Sequence, residues 1–297
     1  MAHAHDHGRL ESRRALGVAL GLTAAYTAVE VVGGLLTGSL ALLADAVHML
    51  SDNVALVLAL VAVWLASRPT TPERTYGYKR AEVLAALANG VLLVALAIWI
   101  FVEAAMRLRH PGDVLGGWML VIAVLGIAVN VGAGLALFGS RRDSINVEAA
   151  FRHVVGDLLG SIGVAVAAIV IVITGWTQAD ALVSILIGVL VLASAWGIVR
   201  DSTSILLEAA PRGIDTELLG RRLAGAPGVV EIHDLHVWTI TSGFPALSAH
   251  VLVRPGDDCH ARRRELERVL HDEFEIEHTT LQVDHAADGG LVEMGRF

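Results

Sequence analysis

The sequence predicts an α-helical membrane protein in which six transmembrane helices precede a cytoplasmic α+β domain of ferredoxin-like type. Three observations carry that prediction. Hydrophobic residues occupy 55% of the 297 positions and the mean hydropathy is +0.62, too apolar for a soluble protein with an ordinary surface. The apolar residues gather in runs of about 20 or more, the length that crosses a hydrocarbon core of ~30 Å at about 1.5 Å per helical residue. After the sixth run the pattern changes to short amphipathic elements in the order α-β-β-α-β.

The runs fall near residues 15–36, 40–66, 82–106, 117–139, 147–174 and 181–200. They divide the chain into a His-containing N-terminal tail (1–14), a six-helix transmembrane domain (15–207) and a cytoplasmic domain (208–297). The polar, charged start MAHAHDHGRLESRR lacks the short apolar core of a cleavable leader, so the first run is expected to stay in the protein. Orientation follows from Lys and Arg in the short connections. Arg9, Arg13 and Arg14 precede the first run, Arg68, Arg74, Lys79 and Arg80 link the second and third, and Arg141 and Arg142 link the fourth and fifth. The opposite side holds only Arg107 and Arg109. Six spans in the cell's inner (plasma) membrane with both termini cytoplasmic is the consistent arrangement.

Beyond the spans, Pro211-Arg212-Gly213 marks the boundary, and Ile214, Leu218, Leu219 and Leu223 have helical spacing. Segments 229–240 and 247–253 read as strands with a hairpin break at Thr241–Pro245, 258–274 as a charged amphipathic helix and 279–285 as a last strand. This segment is acidic, with nine Lys and Arg against sixteen Asp and Glu from Glu208 onward, so that it carries almost all of the chain's net charge of -8. It also holds seven of the thirteen histidines. That balance argues against nucleic acid and for cations as partners. A single cysteine, Cys259, excludes an internal disulfide and thiolate clusters, so a bound metal must rely on His and carboxylates.

Ionisable groups within membrane spans are costly, about 2.5–3.5 kcal/mol near a helix centre, and call for a reason. The informative ones are Asp45, His48 and Asp52 in the second run and His153 and Asp157 in the fifth. His48 and Asp52 form His-x-x-x-Asp, and His153 and Asp157 repeat it; i, i+4 spacing puts both side chains of each pair on one helical face. Antiparallel packing of these helices brings together two neutral nitrogens and two anionic oxygens. Such a set suits tetrahedral Zn²⁺, whereas Mg²⁺ and Ca²⁺ prefer oxygen alone. The alternative is that these groups only hydrogen-bond helix to helix. Glu30 and Asn130 are read as bundle contacts or proton-path residues, and His3, His5 and His7 as a solvated tail or a loose metal collector.

Ser39-Leu-Ala-Leu-Leu-Ala-Asp-Ala-Val-His-Met-Leu-Ser-Asp52, Tyr76-Gly-Tyr-Lys-Arg-Ala-Glu82, His153-Val-Val-Gly-Asp157, His233-Asp-Leu-His-Val-Trp238 and Glu277-His-Thr-Thr-Leu-Gln282 closely resemble motifs of the cation diffusion facilitator family, particularly its zinc-transporting, cobalt-zinc-cadmium-resistance-like members. The resemblance covers essentially the whole chain. It implies a homodimeric metal/proton antiporter in the lipid bilayer that is not an enzyme and needs no catalytic cofactor. Its cargo is Zn²⁺, with Cd²⁺, Co²⁺ and Fe²⁺ as further candidates. It also implies a transport site at His48, Asp52, His153 and Asp157, with Asp45 lining the pathway or ligating directly. In the cytoplasmic domain it implies a regulatory metal site matching His233, His250, His260 and Asp284. Gln282 stands where a related bacterial member has His, so His236, His278 or His285 is needed to complete a two-metal centre. Some members carry a further site between the second and third spans, built from Asp and His. Residues 67–79 contain neither, so that site is expected to be absent. Glu208 is a candidate partner for Arg80 or Lys79. A passive divalent-cation channel could use the same ligands, and an integral-membrane hydrolase or di-iron oxidase is a more distant alternative. Against the enzyme, the chain has no His-Glu-x-x-His and only two intramembrane histidines.

Overall fold

A computed structural model describes the backbone of residues 2–66, 68–138 and 145–286. The side chains of 2–16, 52, 55, 56, 59, 60, 62, 63, 66, 145, 146 and 149 lie outside the described residues. The side chains of His3, His5, His7 and Asp52, expected above to collect or ligate metal, are therefore outside the described residues. The elements run α1 (Ala2–Thr37), α2 (Leu40–Ala66), α3 (Ala81–Arg109), α4 (Gly116–Phe138), α5 (Ile145–Thr174), α6 (Gln178–Leu206), α7 (Thr216–Ala224), β1 (Val229–Thr241), β2 (Phe244–Val253), α8 (Cys259–Phe274) and β3 (His278–His285). Two compact units divide the chain, Met1–Leu60 with Ala88–Val199, and Val61–Leu87 with Arg200–Phe297.

The first unit is a helical bundle. Gly17–Thr37, Ala81–Arg109, Gly116–Phe138, Ala150–Thr174 and Gln178–Leu206 are long and apolar enough to cross a membrane, and Leu40–Ser51 of α2 is a shorter apolar stretch. The buried core is rich in alanine, including Ala41, Ala44, Ala97, Ala123, Ala167, Ala168 and Ala195. Small residues let helix backbones approach closely, and in lipid packing replaces the hydrophobic drive. Large apolar side chains such as Leu35, Leu36, Leu135, Leu159 and Ile173 point outward, as a lipid-facing surface requires.

α1 stops at Gly38, whose φ of 71° suits a residue without Cβ; a Cβ there would lie 2.8 Å from the Asp113 carbonyl oxygen. The next turn is pinned by Asp180, in the first turn of α6. Its buried carboxylate accepts from Ser39 Oγ (2.6 Å), Leu40 N (2.7 Å) and Ala41 N (3.1 Å), which satisfies amides that the start of α2 leaves without intrahelical partners. Arg107 on α3 lies 3.6 Å from the same carboxylate.

In the second unit a three-stranded sheet of order β1-β2-β3 packs one face on α7 and α8. Leu219, Leu223, Val237, Leu247, Val251, Leu266, Leu270 and Ile276 form the core between them. β1 and β2 are antiparallel and β2 and β3 parallel. Asp215 and Asp258 cap α7 and α8, each accepting from two backbone amides. The expected hairpin break is shorter than Thr241–Pro245, because β2 already includes Phe244 and Pro245. Pro245 pairs with Thr239 on one side, whereas β3 joins only from Ala246. At that position β2 is still an edge, where a missing N–H costs no ladder bond.

Candidate metal centres

In the bundle, the one-turn spacing on α5 places His153 and Asp157 side by side, with Nε2 and Oδ2 3.6 Å apart. α2 brings His48 to the other oxygen of the same carboxylate, with Nε2 3.9 Å from Oδ1. The two rings lie 6.1 Å apart, tilted by 59°. Asp157 is 3% exposed, so an anion in the protein interior sits between two nitrogens that retain access to solvent. Asp52 follows His48 by one turn of α2. α5 begins at Ile145, earlier than the apolar run suggested. That brings His153 two turns inside the helix, level with His48.

Asp45 and Glu30 are buried on α2 and α1, and Asn130 on α4. The Asn130 Nδ2 donates to Ser161 Oγ at 3.2 Å, a contact between α4 and α5. No sequence motif singles out Asp180. Its place in the first turn of its own helix reads as ordinary dipole complementation, and only the structure shows that it caps α2.

In the sheet domain, His233 and His250 are register partners on β1 and β2, with ring centroids 5.3 Å apart. Asp234 completes a group of three ligand atoms within 4.8 Å of one another; its Oδ2 is 3.9 Å from His250 Nδ1. Strict alternation would send Asp234 to the opposite face from His233. A register irregularity between His233 and His236, with Asp234 at φ 50°, returns it to the same group.

Among the described residues, His260 and Asp284 do not join this group. His260 is exposed in the first turn of α8, and Asp284 accepts from Gln282 Nε2 at 2.9 Å. Gln282 itself is the register partner of His250. Of the substitutes, His278 lies between Tyr76 and Phe244 and His285 contacts Cys259 Sγ at 3.5 Å, while His236 is the register partner of Ser248. Arg80 pairs with Glu208 at 2.9 Å, while Lys79 sits 3.8 Å over the Phe244 ring.

Residues 16–207 match the family model of the cation efflux transmembrane domain, and residues 211–286 that of the cation efflux protein cytoplasmic domain. A zinc transporter of Shigella flexneri, ZitB, is 45% identical over 292 residues, covering 96% of this chain and 93% of that protein. The metal cation efflux system protein CzcD of Cupriavidus metallidurans is 42% identical over 288 residues, 96% of this chain and 90% of its own. A cadmium, cobalt and zinc/H⁺-K⁺ antiporter of Bacillus subtilis is 40% identical over 277 residues, 92% and 88% respectively. Among solved structures, the metal-bound C-terminal domain of the Cupriavidus CzcD transporter is 33% identical and covers 24% of this chain and 99% of that one, at a TM-score of 0.23.

Proposed function

The chain belongs to the cation efflux family, a family of transporters and not enzymes, and from that premise we propose that it exports Zn²⁺ from the cytoplasm in exchange for protons. The observation that carries this reading is the buried Asp157 carboxylate within reach of both His48 and His153 on two different helices. With Asp52 these groups make a four-ligand His₂Asp₂ set of the kind tetrahedral Zn²⁺ takes, and two carboxylates balance the dication where water is scarce. The names of the relatives, which cover zinc, cadmium and cobalt, support the same cargo class.

An imidazole must be neutral to ligate a metal. Zn²⁺ arriving at the site therefore expels protons, and protons arriving from outside expel Zn²⁺. Alternating exposure of α2 and α5 to the two sides converts that competition into antiport. The proposal includes six spans with both termini cytoplasmic, supported by the Lys and Arg distribution, and domains at 15–207 and 208–297 after the tail at 1–14. It includes a ferredoxin-like cytoplasmic domain that pairs two copies into a homodimer and binds regulatory Zn²⁺ at His233 and His250. His260 and Asp284 join only if that domain rearranges.

The test is uptake by the full-length protein in acid-loaded vesicles across a panel of divalent ions, with lumenal pH recorded. Zinc accumulation accompanied by a rise in lumenal pH is expected. Zinc entry down its own gradient without a pH change would make the protein a passive channel.

A further inference from the structure

Apart from the histidines, the bundle holds a second set of buried polar groups. Glu30 is 0% and Asp45 2% exposed. Neither oxygen of Glu30 nor Oδ2 of Asp45 has a hydrogen-bond donor, and no Lys or Arg pairs with either among the described residues. Buried carboxylate oxygens without a Lys or Arg counter-charge are expensive in any protein interior, and more so inside a membrane.

Two further observations show that the place is built for something positive. Asn130 is 1% exposed and spends its amide on Ser161, leaving Oδ1 without a donor. The Tyr26 hydroxyl, which donates to the Ile122 carbonyl at 3.1 Å, neighbours Glu30 and Ser161. The second observation is Gly160, on the turn of α5 that follows Asp157. A Cβ there would stand 2.9 Å from Asp45 Oδ1, so the missing side chain is what lets this carboxylate seat against α5.

We propose that Glu30 and Asp45, beside the Tyr26 oxygen, form a separate site for a hard monovalent cation, a proton or an alkali-metal ion, which is the counter-cation of metal export. An all-oxygen donor set favours hard cations over zinc and cadmium. The inference rests on the antiport reading above. The titratable groups around Glu30 are Tyr26 on its own helix, Asp45 on α2 and Asp157 on α5; α4 contributes only the neutral Asn130. Asp45 in turn interacts with both Glu30 and Asp157. A cation at Glu30 and Asp45 therefore repels a dication at Asp157 across a poorly solvated interior. The two charges exclude one another, and by reciprocity each drives the other's release.

The experiment uses full-length protein in proteoliposomes and compares wild type with Glu30→Gln. Zinc accumulation is driven in one arm by a pH gradient with equal K⁺, and in the other by a K⁺ gradient at clamped pH; zinc-for-zinc exchange is measured with no gradient. We expect Glu30→Gln to lower gradient-driven accumulation at least ten-fold while zinc exchange stays within two-fold. The arm that collapses identifies the proton or the alkali ion. Driven accumulation within two-fold of wild type in both arms overturns the site, and so does loss of zinc exchange together with drive, which would make Glu30 part of the metal path. If Glu30→Gln does not reconstitute as folded protein, Glu30→Asp must shift the half-saturating H⁺ or K⁺ concentration at least three-fold, and an unshifted value overturns the proposal. A wild type that exchanges zinc but is driven by neither gradient brings down the antiport reading and this site together. A driven wild type with an unaffected Glu30→Gln brings down only the site.

Discussion

Replacing Asp180 by Ala removes one carboxylate that holds three elements. Ser39 Oγ, Leu40 N and Ala41 N all lose their acceptor, at a residue that is 1% exposed, where water cannot take its place. Each orphaned buried donor costs about 1–3 kcal/mol. Ser39 keeps part of its cap, because its Oγ still accepts from Leu42 N at 3.1 Å. Arg107 keeps Glu103, at 2.9 Å, and the Gly38 carbonyl, so its charge is not stranded and the full penalty for a broken buried ion pair does not apply. The net expectation is a loss of about 3–5 kcal/mol for Asp180→Ala, and about 2 kcal/mol for Asp180→Asn, which preserves one acceptor oxygen. SDS-driven unfolding of the purified protein in mixed micelles, followed by helical circular dichroism, measures both. Zinc transport should fall in the same order, because α2 carries His48 and Asp52 two to three turns further on. An Asp180→Ala protein within about 0.5 kcal/mol of wild type would refute the claim that this carboxylate anchors α2.

His48→Asp or His153→Asp hardens the donor set, so the ratio of Mn²⁺ to Zn²⁺ uptake should rise by about ten-fold, the equivalent of ~1.4 kcal/mol, and the pH dependence of uptake should change; competition assays in vesicles read both. In the full-length protein, His233→Ala with His250→Ala should remove one zinc per chain in equilibrium dialysis while gradient-driven transport persists; unchanged stoichiometry would place the cytoplasmic metal elsewhere. The Ala261 amide, followed by the His260 amide, holds the Asp258 carboxyl below the usual carboxylate range. A depressed folded-state value stabilises the folded form above the unfolded value of about 3.9 and is lost as pH falls through the folded one. Asp258→Ala should therefore lower the unfolding temperature of the sheet domain at neutral pH and make no difference in strong acid, where an equal deficit would contradict the capping role.

The parts of this molecule that sequence reveals are those with a short-range period. Runs of about 20 apolar residues locate the helices, and i, i+4 spacing pairs His153 with Asp157 before any coordinates are seen. What stayed hidden depends on contacts between distant segments. Asp180 caps a helix that begins 140 residues earlier, and nothing near Asp180 in the chain announces it. Asp234 joins His233 and His250 only because β1 breaks its alternation, an irregularity that no local propensity specifies. Among the described residues, His260 and Asp284 lie apart from the group of His233, Asp234 and His250, and their spacing in sequence does not tell that separation. Pro245 looked like a break because its neighbours in the sheet cannot be read from its neighbours in sequence. Glu30 is visible as a charge in an apolar run, but its lack of a Lys or Arg partner among the described residues is a property of helices packed together.

The central claim is that Asp157 holds the exported metal between His48 and His153, and radiolabelled zinc uptake into acid-loaded vesicles by Asp157→Ala, at matched protein density and with a wild-type elution profile in size-exclusion chromatography, tests it most directly. Loss of a charged ligand from a buried dication is expected to cost at least ~3 kcal/mol, and so to lower uptake by roughly a hundred-fold or more, to the leak of protein-free vesicles. Uptake at the wild-type rate, with the wild-type response to lumenal pH, would contradict it.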